Sequence, residues 1–273
     1  MDPSALLGLA DAAAAEAAAM LSGRRATGRP GVLATKSSPT DVVTEADRTA
    51  EAMITKRILA ERPGDVILGE EGGLHGGDAA AATVRWIVDP LDGTVNYMYG
   101  LPDFAVSIAA EVDGEIVAGV VHAPVRGEVF SAAAGGGAWL RAGQAPAVRL
   151  RCNAGVQLAQ ALVATGFGYL ADRRRVQGAV AAALLPVVRD IRRAGSAALD
   201  LCSVAAGRVD AYYERGVNYW DIAAGGLIAT EAGATVGGLA GKPPGPDLTI
   251  AAGPALYDAL AGQLARLNPE RDD

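Results

Sequence analysis

Apolar positions along the chain divide it into two regimes. Up to about residue 150, short runs with strand-like alternation dominate after two helices; from about residue 162, strand-like and helical runs alternate. A first helix is predicted over residues 4–21, alanine-rich throughout, with Ser4 as its N-cap and Gly23 just past its end. A second runs to about Glu61 from an N-cap at Thr44, and Asp47 stands at its third position as in a capping box. Between them, residues 24–30 read as a basic, glycine-containing loop and residues 34–41 as a polar, mobile one.

Strands follow over 66–68, 86–88, 104–112, 115–122, 128–132 and 148–151. Asp113-Gly114 joins two of them as a tight hairpin, and Gly135-Gly136-Gly137 reads as a turn. Residues 75–83 read as a loop tip that leaves His75 exposed. The later pattern predicts strands over 162–165, 209–214, 235–238 and 248–252, with residues 190–193 short and extended. Helices are predicted over 176–188 (interrupted at Pro186), 197–206, from near Asp221 to about Glu231, and 255–267, before a charged tail over 268–273. With no long linker and no repeat, residues 1–150 and 151–273 are expected to form an N-terminal α+β half and a C-terminal α/β half of one unit.

Composition narrows this picture. Of the 273 residues 51% are hydrophobic but only 5% aromatic, so a sizeable core must be built from Ala, Val, Leu and Ile. A formal net charge of −7 argues against a general nucleic-acid binder, yet an acidic protein can take an anionic substrate if cations supply the positive charge. Cys152 and Cys202 lack metal or redox spacing and read as small core residues of a protein in a reducing, cytoplasmic setting. No secretory signal and no uncharged stretch long enough for a membrane span is expected.

The chemistry concentrates at strand ends. Trp86-Ile87-Val88 reads as a buried strand that delivers Asp89 and Asp92, with Pro90 between them and Gly93-Thr94 after. Two neighbouring carboxylates repel unless a cation lies between them, which points to a hard divalent metal; Asp-Pro and Asp-Gly are equally ordinary turn chemistry. Gly69-Glu70-Glu71-Gly72 repeats the theme at another strand end, as a solvated turn or as part of a site. Asp47 and Asp221 fit both the first turn of a helix and a functional carboxylate. Gly195-Ser196 at a helix start offers backbone N–H groups and a hydroxyl to a phosphate or a sugar hydroxyl, or serves only as a cap.

Taken together, Asp89-Pro90-Leu91-Asp92-Gly93-Thr94, Gly69-Glu70-Glu71 and Trp220-Asp221 resemble the inositol monophosphatase family. The resemblance extends to residues 36–41 with Lys36, to Thr44 and Asp47, to Gly195-Ser196-Ala197-Ala198 and to Ala211-Tyr212-Tyr213-Glu214, all in the family's order. It implies a layered α-β-α-β-α sandwich of the sugar-phosphatase type, dependence on two or three Mg2+ ions, lithium inhibition and a homodimer. It further implies that Glu70, Asp89 and the Leu91 carbonyl hold one ion, and Asp89, Asp92 and Asp221 a second. Thr94 with Glu70 would hold the attacking water, with Asp47 orienting Thr94, and Gly93 and Thr94 would cradle the phosphate. Asp92, Gly195, Ser196, Ala197, Glu214 and Asp221 would bind the substrate.

The implied activity is hydrolysis of inositol 1-phosphate or a similar polyol phosphate. Relatives act on fructose 1,6-bisphosphate, histidinol phosphate or 3′-phosphoadenosine 5′-phosphate. Some bacterial members also serve as partners of the transcription machinery, for which Arg173 to Arg175 and Arg192-Arg193 are the candidate surface.

Overall fold

The computed structural model describes residues 2–26, 32–35, 42–78 and 82–271; of the loop expected over 34–41, Ala34 and Thr35 end a strand and residues 36–41, with Lys36, lie outside the described residues. Helix α1 (Pro3–Ala26) is longer than its sequence pattern. Its first turn is capped by Asp2, whose Oδ1 accepts from the Ser4 N–H at 2.9 Å, so Ser4 is inside the helix. It also runs through Gly23 into the supposed loop, where the Arg25 guanidinium lies 5.2 Å from the centre of the Phe104 ring and anchors the last turn. On length and composition alone α1 could cross a membrane. Here its stripe of Leu6, Ala10, Ala14, Ala17 and Leu21 is buried in the core.

Strands β1 (Val32–Thr35) and β2 (Val42–Thr44) pair with each other and lead into α2 (Glu45–Glu61), capped as expected by the Thr44–Asp47 box. Then come β3 (Val66–Gly69), β4 (Gly73–Gly76), β5 (Arg85–Asp92), the short helix α3 (Thr94–Tyr99), β6 (Ala105–Val112), β7 (Glu115–Ala123), β8 (Glu128–Ala133), β9 (Gly137–Ala142) and β10 (Val148–Arg149). They form one sheet in the order β10-β9-β8-β7-β6-β5-β3-β4, antiparallel except for β3 beside β5. The Asp113-Gly114 hairpin has both residues at positive φ, as a tight primed turn requires. Three elements depart from expectation. Strand β4 replaces part of a loop and β9 follows directly from the glycine run, because glycine at their ends masks the alternation. Helix α3 is a single capped turn and a half between Gly93 and Gly100.

The second sheet holds β11 (Leu162–Thr165), β12 (Asp190–Arg192), β13 (Ala211–Glu214), β14 (Thr235–Gly237) and β15 (Thr249–Ala252) in the order β12-β11-β13-β15-β14. Its helices are α4 (Ala171–Leu184), α5 (Ala197–Ala205), α6 (Tyr219–Glu231) and α7 (Pro254–Leu267). Helix α4 begins at Ala171, five residues before its apolar pattern, since its first turns carry the polar run Asp172 to Arg175; Pro186 lies in the 3-10 turn that ends it.

Strand alternation turns these elements into layers. Trp86 and Val88 of β5 and Val106, Ile108 and Ala110 of β6 enter a core shared with α1 and α2. Ile87, Ala105 and Ala109 point to the opposite face, into a core shared with α5 and α6 and with Ala164, Tyr212 and Ala251 of the second sheet. The far face of that sheet, with Val163, Tyr213 and Ile250, packs on α4 and α7. The result is the expected α-β-α-β-α stack, with α5 and α6 between two sheets. Alanine and glycine explain how so few aromatics suffice: a Cβ on Gly119 of β7 would stand 3.0 Å from Ala224 Cα in α6. Cys202 is buried in this central core and Cys152 packs at its edge, both as free thiols.

Candidate active site

Period-two alternation aims the first carboxylate. Asp89 shares the face of Ile87, so it points toward the middle helical layer and is only 1% exposed. The β5–β6 register breaks between Asp89 and Asp92, which lets the chain present both acids on the way into the turn. Gly93 then adopts φ +91, where a Cβ would stand 2.8 Å from the Asp103 carbonyl oxygen, so the turn requires glycine.

Three of the acids are fixed by donors on one oxygen. Asp89 Oδ1 accepts from the Leu91 N–H at 2.9 Å. Asp92 Oδ2 accepts from Ser196 Oγ at 2.5 Å and the Ala198 N–H at 2.8 Å. Asp221, third residue of α6, accepts the Asn218 N–H on Oδ2 at 2.6 Å in a second capping box. Glu70 follows β3, whose end lies beside Val88, and comes within hydrogen-bonding reach of Asp89.

These four carboxylates, with Leu91, Gly93, Thr94, Gly195, Ser196, Ala197 and Glu214, line one cavity of about 370 Å³. Burial, then the neighbouring carboxylates, pushes Asp89 and Asp221 well above the usual carboxylate range. Burial raises Asp92 to about 6 despite its Ser196 and Ala198 donors. A set of acids that burial and mutual repulsion hold against ionisation is a set that a cation would stabilise. Among the described residues no three His, Cys, Asp or Glu side chains already close into a metal cage. The donor chemistry nonetheless fits a hard cation: oxygen ligands only, with Asp89, Asp92 and Asp221 each oriented through one oxygen.

Most candidate residues therefore meet at one place, and two change meaning. Asp47 stands behind the cavity: its Oδ2 takes the Thr44 N–H and hydroxyl, and its Oδ1 accepts from Thr94 Oγ1 at 2.9 Å. Cap and site partner coexist in one side chain. At the start of α5 the expected vacancy for a phosphate or sugar hydroxyl is filled from within, because the Asp92 carboxylate already takes the Ser196 hydroxyl and the Ala198 amide. Glu214 is half-buried, and desolvation raises it to about 7, with Tyr212 Oη donating to its Oε2 at 3.0 Å.

Three supports lay outside the sequence reading. Glu51, one turn after Asp47 on α2 and 5% exposed, accepts the Glu71 and Gly72 N–H groups at 2.8 Å each and so holds the turn that carries Glu70. A Cβ at Gly69 would collide with it at 2.5 Å. The i, i+4 spacing from Asp47 was the available signal. Asn96 of α3 donates to the Asp103 and Ala194 carbonyls at 2.6 and 2.9 Å, tying the Gly93 turn to the Gly195 segment. Tyr219, the first residue of α6, donates to Glu111 Oε2 at 2.6 Å, and Arg85 meets the same oxygen at 2.7 Å. That pins the turn bearing Asp221 to the first sheet. Burial works to raise Glu111, and these two hydrogen bonds outweigh it, leaving its pKa below the ordinary value.

Known proteins resemble this chain in sequence and fold. Residues 2–269 match the sequence profile of the inositol monophosphatase family. The chain is 50% identical to the inositol-1-monophosphatase of Mycobacterium leprae, over 98% of this chain and 96% of that protein. It is 43% identical to the Nus factor SuhB of Haemophilus influenzae over 76% of each. The solved structure of Mycobacterium tuberculosis SuhB superposes with a TM-score of 0.83 at 45% identity, covering 99% of both chains. By the profile match and by identity over nearly its whole length, the chain belongs to the inositol monophosphatase family.

Proposed function

We propose that the protein is a magnesium-dependent phosphatase that hydrolyses inositol 1-phosphate. The observation that carries this reading is the cavity in which four carboxylates, three of them anchored by donors, meet the Gly93-Thr94 turn. The name of the M. leprae relative supports the substrate. Glu70, Asp89 and the Leu91 carbonyl would hold one Mg2+, and Asp89, Asp92 and Asp221 a second, with Glu70 available to a third. When bound, magnesium supplies the positive charge that the phosphoryl oxygens need and lowers the pKa of a water.

The protein's own groups do the rest. Thr94 Oγ1 commits its proton to Asp47 or to the Leu91 carbonyl, 3.1 Å away, so its lone pairs face outward to accept from the attacking water. Glu70 takes that water's other proton. The backbone N–H groups of Gly93 and Thr94 hold the phosphate where positive backbone dipoles converge. Glu214, as carboxylate, accepts from hydroxyls of the polyol, and Gly195, Ser196 and Ala197 shape that side by their backbone. Asp47 is a positioning residue that acts through Thr94.

Lithium sensitivity, a homodimer and a cytoplasmic setting belong to the same reading. The relative named as a Nus factor raises a role beside the transcription machinery. Against it, Arg175 and Arg192 are paired with Asp172 and Asp190, and Arg173 and Arg193 line the cavity. Phosphate release from inositol 1-phosphate, fructose 1,6-bisphosphate, histidinol phosphate and 3′-phosphoadenosine 5′-phosphate, with and without Mg2+, tests the proposal. Magnesium-dependent turnover fastest on inositol 1-phosphate is expected; a place among the poorest substrates overturns it.

A further inference from the structure

Two loops from neighbouring parallel strands build the side of the cavity assigned to the polyol. Residues 166–170 follow β11, residues 214–218 end and follow β13, and both segments contribute to the lining. The ladder between the two strands ends with Thr165 beside Tyr213, so beyond that point other groups have to hold the loops. Their spacing matters for Glu214. A Cβ on Gly166 would stand 2.0 Å from Glu214 Oε2, so the carboxylate lies against the bare backbone of the first loop and shifts with it.

One side chain spans the gap. Gln177 of α4, only 7% exposed, accepts the Gly168 N–H on Oε1 at 2.9 Å and donates from Nε2 to the Arg215 carbonyl at 3.0 Å. Each half of its amide thus serves one loop, and no carboxylate or hydrocarbon could do both. Its base is firm, because Val176 and Val180 on the same helix are buried in the core on the far face of the second sheet. Arg173, one turn earlier, packs in the same interval: a Cβ on Gly168 would stand 3.1 Å from its Cδ, and one on Gly216 2.5 Å from its Nη1. The second loop has ties of its own, from the Gly216 N–H to the Pro246 carbonyl at 2.9 Å and from the Arg215 guanidinium to the Arg271 carbonyl, but neither reaches the first loop.

We propose that Gln177 is a positioning residue that sets the spacing of these two loops, and through it the place of Glu214 and the fit of the substrate's alcohol part. The inference rests on the phosphatase reading of the cavity. Gln177 touches no reacting atom and acts through Gly168 and Arg215. Without its amide, a buried N–H and a buried carbonyl lose their partners, and the loops must part to find others. The metal-binding end does not depend on it, since Tyr219 pins the head of α6 to Glu111 and Asp92 is held by Ser196 and Ala198. Loss of Gln177 is therefore felt in substrate fit and not in the chemistry of the phosphate.

The test compares inositol 1-phosphate with 4-nitrophenyl phosphate, which has no hydroxyls for these loops to receive, using the full chain with Mg2+. Gln177→Met, of similar length, should raise KM for inositol 1-phosphate about tenfold, with kcat, the Mg2+ requirement and both constants for 4-nitrophenyl phosphate moving less than about twofold. Gln177→Glu keeps the acceptor for Gly168 and should show a smaller rise in the same constant. An unmoved KM in both variants overturns the proposal, as does an equal loss on both substrates or a raised Mg2+ requirement, which would mark general loosening. Hydrogen exchange at the Gly168 amide gives a readout apart from activity: in the unaltered protein it should be slowed at least about a hundredfold relative to an open peptide, and in Gln177→Met it should be released. Exchange at the open rate in the unaltered protein overturns the clamp even if Gln177→Met does not fold. If the unaltered protein hydrolyses neither compound, the phosphatase reading fails by itself, and exchange alone decides whether Gln177 holds the loops.

Discussion

Helices α2 and α6 open with the same local device, a capping box whose third residue is an aspartate, and the two aspartates meet different fates. Asp47 has both oxygens engaged, by Thr44 on one and Thr94 on the other. Asp221 has one oxygen held by the Asn218 N–H and lines the cavity beside three other acids. Burial raises the pKa of both, but Asp221 far more, because Asp92 and Glu70 add their repulsion. A cap thus says nothing for or against function. What separates the two is how many donors the fold brings to the second oxygen.

That contrast can be broken most sharply at Asp221. Asp221→Asn keeps a capping side chain but removes a charge, so activity should fall at least about a hundredfold while the protein stays folded. Thermal melting without metal checks the second half, since loss of one of several repelling acids should leave stability equal or higher; a variant unfolded at room temperature would sink the idea. Thr94→Ala removes the hydroxyl that Asp47 serves, and kcat should drop about a hundredfold with KM little changed. An unaltered rate would take Thr94 out of the mechanism. Asp47→Asn should act through the same route more weakly, about tenfold in kcat, with a small loss of helix stability near 1 kcal/mol. Rates for Asp47→Asn in the Thr94→Ala background test this directly: the two effects should not multiply.

Glu51→Gln sharpens the comparison one turn further along α2. It weakens the grip on the Glu71 and Gly72 amides, so more magnesium should be needed for half-maximal rate, with a smaller change at saturating metal; an unchanged requirement would make Glu51 purely structural. The smallest effect concerns Glu214, which has no cap and a single tyrosine donor. Its folded pKa near 7 lies above the ordinary 4.5, so the folded protein holds that proton longer than the unfolded chain. Its contribution to stability is therefore present below about 4.5 and declines as pH rises through about 7. Melting of Glu214→Gln should show a shallower fall over that window, and parallel curves would contradict the assignment.

Much of this was readable from sequence because it is local. Short β-prone runs marked most strands and put Asp89 at a strand end, and the Thr44-Asp47 and Asp221 signals marked two helix starts. The layered stack and the meeting of the carboxylates came through the family's motifs. What stayed hidden depends on partners far along the chain. Nothing near Ser196 announces that Asp92 occupies its helix start, and nothing near Glu51 announces the amides it receives. Strands β4 and β9 were obscured by terminal glycines, and the last turn of α1 is held by Phe104, which no reading of residues 22–26 could supply.

The Asp92 bonds to Ser196 and Ala198 span 104 and 106 residues and join a strand of the first sheet to a helix that packs on both. Closing so long a loop is slow and entropically expensive, and little rewards it until the central helical layer has docked. Assembly of the chemical centre is thus expected late in folding. A refolding chain should regain its helical signal before its turnover, so activity becomes a clock for the moment when the two sheets are finally locked together.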